Sequence, residues 1–307
     1  MLRRYLSPLF PFVLVWLLLI ISDFRSISLV NGIAQLLLFA FVVCIPAWRT
    51  GRISYVDIGW PLGVALIGLI TLLLADGYIW RKFAVSFAYL FIGLRMGIVA
   101  LLMWRRGHLN RELPRYEYQR GRWERAGKTN VKLAAQVEVL MQGLANASFL
   151  AVPAFLLAHN PAPTFSPLEI IGALLWIGAF VLESVADGQK RKFLLDMKAK
   201  GLKKQVCNVG LWRYSRHPNY FAEWLVWTAL VIAALPSWFA LFQTTNIIIW
   251  GLLGFALLNV SRLLYITLVY HTGAVPAEFY SAQKRPGYKA YQQETNRFFP
   301  GPVKKID

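Results

Sequence analysis

Tyr55-VDIGWPLGVALIGLITLLL-Ala75 is a stretch of 21 residues with one charge, Asp57, close to its start. About 20 predominantly apolar residues in an α-helix cross the ~30 Å hydrocarbon layer of a bilayer. Seven further runs of similar character flank it, over Leu6–Ser22, Leu29–Trp48, Phe83–Trp104, Leu133–Ala158, Leu168–Asp187, Asn219–Leu235 and Asn246–Tyr270. The expected fold class is therefore all-α, a polytopic integral membrane helical bundle of eight helices. Composition agrees, because 57% of the 307 residues are hydrophobic and only 16% are charged. A soluble domain carries about a quarter charged residues. A disordered chain is excluded by the same figures, despite a formal charge of +18. The first run follows Arg3 and Arg4 and is not succeeded by a small-x-small cleavage site, so it reads as a retained anchor.

The basic residues sort by segment. Residues 1–5, 49–52, 105–132, 188–216 and 271–307 hold 28 of the 33 Lys and Arg, and these segments alternate along the chain. The opposite segments hold only Arg25, Arg81 and Lys82, while Arg95 and Arg262 lie inside runs. The positive-inside rule then places both termini and the two long basic loops in the cytoplasm. The chain reads as one domain over 1–307. Within it lie N-terminal helices (1–52), a substrate side (53–132) and a cofactor-binding part (133–307). Trp123, Phe193, Trp212 and Tyr214 among the loop charges argue that these loops are ordered. The ordinary reading of any single loop Lys or Arg is orientation and contact with anionic headgroups.

Charges inside the runs are costly and point to a functional site. Asp57, Arg95, Glu138, Glu183, Asp187, Glu223 and Arg262 all fall in the cytoplasmic half, with none at the external ends, which implies a polar cavity open to the cytoplasm. Glu183 and Asp187 share a helix face at i,i+4, as do Asn219 and Glu223. A basic rim of Lys190, Arg191, Arg213, Arg216 and Arg285 suits phosphates, and Asn219, Glu223 and Glu183 suit hydroxyls or amides. A pyrophosphate nucleotide or a phospholipid fits that pattern. There is neither a GxGxxG after a strand nor a GxxxxGK[ST], so any nucleotide must lie between helices. Cys44 and Cys207 form no CxxC pair and the four His never fall at ligand spacing, so no metal is expected.

The densest segment is 210–227, Gly-Leu-Trp-Arg-Tyr-Ser-Arg-His-Pro-Asn-Tyr-Phe-Ala-Glu-Trp-Leu-Val-Trp. Pro218 presets a helical first turn. Arg213, Arg216 and His217 then stand at a helix N-terminus, where backbone N–H groups favour anions. This segment resembles the steroid 5α-reductase family, in particular bacterial membrane members sharing its C-terminal domain. The resemblance runs from about Tyr55 to Pro300. It includes Tyr-Val-Asp-Ile-Gly-Trp at 55–60, Glu183-x-x-x-Asp187-x-Gln189-Lys190 with Phe193, and Arg-His-Pro-Asn-Tyr-Phe-Ala-Glu at 216–223. Arg262 with Tyr270, and Arg285-Pro-Gly-Tyr-Lys-Ala-Tyr291 closing on Phe-Phe-Pro300, complete it.

The resemblance implies NADPH-dependent reduction of a C=C bond conjugated to a ketone, typically in a 3-oxo-4-ene steroid. It implies contacts to NADPH from Asn219, Glu223, Asp187, Arg262 and Tyr270, with Tyr220 in the same run. Arg216, Tyr288 and Tyr291 would reach its phosphates or adenosine. Asp57 would hydrogen-bond the enone oxygen as a protonated acid, stabilising the developing enolate. The family's eukaryotic members have Gln-Glu where this chain has Val56-Asp57, and a tyrosine where it has Leu94-Arg95-Met96. Arg95, or Tyr89 a turn and a half earlier, is the candidate replacement. The implied partners are a lipid or steroid substrate entering from the bilayer and membrane lipids, with no nucleic acid. The implied form is a monomer in a bacterial inner membrane. Two other readings stay open. One is an S-adenosylmethionine-dependent isoprenylcysteine or lipid methyltransferase, which shares Arg216-His217-Pro218 and the Phe-Phe-Pro ending but carries a Glu-Glu pair where this chain has Ala277-Glu278-Phe279. The other is a non-catalytic lipid binder or transporter.

Overall fold

The structure, a computed structural model, describes residues 2–304. Among the described residues there are helices and no strand, and eight helices are long and apolar enough to cross a membrane. They are α1 (Arg3–Ile21), α2 (Arg25–Thr50), α3 (Val56–Leu74), α4 (Ile79–Arg105), α6 (Val131–Ala158), α7 (Pro167–Ala199), α8 (Pro218–Ala240) and α9 (Ile247–Ile266). Each expected run is recovered. The basic loop between α4 and α6 folds as α5 (Pro114–Arg125), started by Pro114 and burying Tyr116, Gln119 and Trp123. After α9 come a π-turn (Thr267–His271), α10 (Ala274–Lys284) and α11 (Tyr288–Glu294). α7 runs beyond Asp187, because no Gly or Pro interrupts 189–199 before Gly201 turns the chain in the left-handed region at φ 69°.

Packing groups the chain into two compact units. One comprises residues up to Ile170 with Val231–Val260, the other Ile171–Leu230 with residues from Ser261 onward. The first unit is built on the antiparallel α3–α4 hairpin. Glycines let the two backbones approach: a Cβ on Gly93 would lie 2.4 Å from both Pro61 O and Ala65 N. Gly93→Ala should therefore lower stability in detergent by about 1–3 kcal/mol, read as a fall in the unfolding midpoint. Gly178→Ala in α7, where a Cβ meets nothing within 4 Å, should leave the midpoint unchanged or slightly raised.

Inside lipid every backbone carbonyl needs a partner. Three buried carboxamides supply them where helices are irregular. Asn146 precedes a break in α6 at Ser148, and its carbonyl accepts from Asn31 Nδ2 at 3.2 Å. Asn146 Nδ2 donates to Trp60 O at 3.0 Å beside Pro61, and Gln35 Nε2 donates to Gly63 O at 2.9 Å. Gly63 must lack a side chain, since a Cβ there would sit 2.1 Å from Asn146 Nδ2.

One expectation needs correction. Intramembrane charge is not confined to one end, because Arg81 in α4 pairs with Glu169 in α7, and both are buried. Arg81 also donates to the carbonyls of Asn160, Ala162 and Thr164, tying down the connection into α7. A guanidinium closing several backbone carbonyls is satisfied in place, and the pair reads as structural.

Candidate functional site

The second unit carries the cluster of polar groups. Along α7, Glu183 is buried, Asp187 one turn later is exposed, and Lys190 and Arg191 follow. The segment leading into α8 is fastened to this face. Gln189 Oε1 accepts from Leu211 N at 2.8 Å, and Trp212 Nε1 donates to Ala186 O at 2.8 Å. Gly210, at φ 55°, is required here, since a Cβ would meet Gln189 Oε1 at 2.4 Å. Lys190 Nζ rests 4.1 Å from the centroid of the Trp212 ring.

This fastening brings the first turn of α8 to Asp187. Asn219 Nδ2 donates to Asp187 Oδ1 at 3.1 Å. Asn219 Oδ1 is buried and has no partner among the described residues. A buried acceptor left unmatched is uncommon and calls for a donor from outside the chain. Glu223 lies one turn on and half-buried, and Tyr220 stacks on His217 with centroids 5.2 Å apart. Asp187, Lys190, Arg191 and Lys198 line an open trough of about 500 Å³ running along α7.

Other expected residues do a different job. Arg216 faces inward: Nε and Nη2 donate to Glu278 at 2.8 and 3.2 Å, and Nη1 donates to the carbonyls of Gln292 and Thr295. His217 Nε2 lies 3.2 Å from the same carboxylate, and burial holds the imidazole below its usual pKa despite that neighbour. Gln292 and Arg297 also donate to Glu278. Tyr291 is buried and donates to Trp212 O. Tyr288 is buried beside it, and burial pushes its phenol up to about 12. Thus Arg216, His217, Tyr288 and Tyr291 hold the C-terminal segment against residues 212–217. Arg213 is exposed, and Arg285 donates to Ser281 Oγ at 3.1 Å. Arg262 and Tyr270 are exposed on α9 and its π-turn, an irregularity frequent at functional sites.

In the first unit, Asp57 is engaged by α5: Arg115 pairs with it and the Tyr116 hydroxyl donates to it. Both groups use Asp57 as an acceptor. Burial and the neighbouring Asp57 raise the pKa of Tyr116 well above its usual value. Tyr89 is fully buried near Gly68 and donates to Leu150 O at 2.6 Å. Gly68 lies roughly 16 Å along α3 from Asp57, so Tyr89 and Asp57 are not brought together. Arg95 is half-buried between Gly93 and Gly97.

Sequence reasoning meets Glu278 only as a departure from the methyltransferase Glu-Glu pair, and it passes over Tyr116. Glu278 is one of three acids in the C-terminal segment 271–307, and nothing local distinguishes it. Among the described residues, no three His, Cys, Asp or Glu side chains converge as metal ligands.

A family model described as protein of unknown function (DUF1295) matches residues 41–295. The chain belongs to this family. The DUF1295 region therefore takes in both the Asp57–Tyr116 pair and the whole Asp187–Asn219 cluster. An uncharacterized protein of Schizosaccharomyces pombe is 28% identical over 170 residues, 49% of this chain and 44% of the relative. The chain thus matches less than half of that relative's length. No solved structure matches.

Proposed function

We propose that this DUF1295 chain is an NADPH-dependent membrane oxidoreductase that reduces the C=C bond of a conjugated enone in a lipid, such as a 3-oxo-4-ene steroid. The observation that carries the reading is the buried, unpartnered Oδ1 of Asn219, held in place by Asp187 beside Lys190 and Arg191. That acceptor suits a carboxamide or ribose donor, and the two bases suit a diphosphate. NADPH, when bound, supplies a hydride. Asp187 fixes the Asn219 amide, Glu223 adds a second acceptor on the same helix face, and Arg262 and Tyr270 complete the set carried by the resemblance. A hydrogen-bond donor to the ketone oxygen would make the β-carbon electrophilic, and Asp57 and Arg95 are the residues that the resemblance offers for it. We place both termini and the basic loops on the cytoplasmic side of a bacterial inner membrane. The substrate would enter from the bilayer, and the protein would act as a monomer.

The test is titration of the purified protein in detergent with NADPH and with S-adenosylmethionine, following thermal unfolding, and then assay of enone reduction. NADPH at 100 times its Kd should add about 2.7 kcal/mol of stability and S-adenosylmethionine none. Stabilisation by S-adenosylmethionine alone would replace the reductase with a methyltransferase.

A further inference from the structure

A second groove, of about 190 Å³, lies where α7 ends and adjoins the trough along α7 through Leu194 and Lys198. Its floor is apolar, formed by Phe193, Leu194, Met197 and Leu202. Its rim is basic, formed by Lys198, Lys203, Lys204 and Arg285. Asp196 is the nearest acid in sequence and does not line it. Lys204 is the only non-glycine with positive φ among the described residues, at 61°. A lysine there holds a sparsely populated backbone conformation, the kind of local strain that gathers at binding sites. The turn it completes sets Lys203 and Lys204 side by side on the rim.

The lining of the groove and the length of α7 bear on its occupant. Thirty-three residues of helix extend roughly 50 Å. A bilayer with its headgroups measures about 40–45 Å, so at an ordinary tilt of about 20° α7 reaches from one headgroup layer to the other. Leu194, Leu195 and Leu202 are 48%, 58% and 48% exposed although lysines surround them. Exposed leucines interleaved with lysines match the acyl chains of a lipid whose phosphate meets the lysines, with the lysine stems lying along the apolar surface. A free phosphate would neutralise the rim and leave the leucines uncovered.

We propose that this groove binds one anionic glycerophospholipid, its phosphate held by Lys198, Lys203, Lys204 and Arg285 and its chains lying along Leu194, Leu195 and Leu202. The groove borders the trough that carries the oxidoreductase reading and shares Lys198 with it, but its test requires neither NADPH nor turnover. The protein is transferred into phosphatidylcholine nanodiscs with and without phosphatidylglycerol, and lipids retained on release are counted by native mass spectrometry. One phosphatidylglycerol should stay bound. The Lys198→Gln, Lys203→Gln, Lys204→Gln triple variant should lose roughly a hundredfold in its affinity, near fivefold per lysine. The variant's unfolding midpoint in pure phosphatidylcholine should be unchanged. If the triple variant does not fold, Lys203→Gln alone should give the fivefold loss. Equal retention of phosphatidylcholine, or undiminished phosphatidylglycerol on the variants, would overturn the proposal. So would displacement of the lipid by inorganic phosphate or adenosine 2′,5′-bisphosphate, which would assign the groove to a soluble anion.

Discussion

Glu278→Ala should cost about 3–5 kcal/mol, because it leaves the guanidinium of Arg216 buried without a counter-charge. Arg216 is 7% exposed and Glu278 3%. The same carboxylate also takes Gln292 Nε2 at 3.0 Å and Arg297 Nε at 3.3 Å, so its loss releases several attachments together. The C-terminal segment then loses its hold on residues 213–217, where Arg216 N donates to Asn296 O at 2.8 Å and Ser215 Oγ to Phe298 O at 2.8 Å. The unfolding midpoint should fall by on the order of 10 °C. Hydrogen exchange should accelerate first at the amides of Thr295 and Gly301, which close this segment. Glu278→Gln, which keeps an acceptor for Arg216 but no charge, should fall between. An alanine variant with native exchange at those amides would show that Glu278 is not the tie.

The second large effect is expected at the cofactor contact. Asn219→Leu removes both the bond to Asp187 and the unmatched buried acceptor, and NADPH affinity should drop by roughly a hundredfold. That corresponds to one lost hydrogen bond to the ligand at ~1–1.5 kcal/mol together with the loss of the Asp187 contact that orients the side chain. Calorimetric titration reads the change directly. Because Asn219 lies in the first turn of α8 and is only half-buried, the unfolding midpoint without ligand should move little. Unaltered NADPH binding in this variant would remove Asn219 from the site.

These two residues also show how far the sequence could be read. Asn219 and Asp187 stand out in the sequence because each begins or ends an apolar run, and helix periodicity pairs each with an acid one turn away. Their bond to one another, across 32 positions, depends on the Gln189 and Trp212 contacts that set the entry into α8. No periodicity records such contacts. Glu278 escapes a sequence reading for a related reason, since its partners lie 62 and 61 positions before it and within 19 after. Arg81 falls outside its apolar run because hydropathy starts that run at Phe83, whereas α4 starts at Ile79, and the difference hides its buried pairing with Glu169. The eight spans themselves are legible because length and apolarity are local properties. The Ser148 break is not, because the Asn31 side chain that meets the Asn146 carbonyl beside it arrives from another helix.

The carboxamides of α2 set a timetable for assembly. Gln35 finds Gly63 O only 28 residues later, but Asn31 must wait 115 residues for Asn146. At about 5–20 residues per second that is roughly 6–23 s of synthesis. During it α2 carries an unsatisfied amide that lipid does not accommodate. It follows that α2 stays beside the insertion machinery or in contact with water until α6 emerges. The spanning helices from α1 through α6 would then be released into the bilayer as a group rather than one by one.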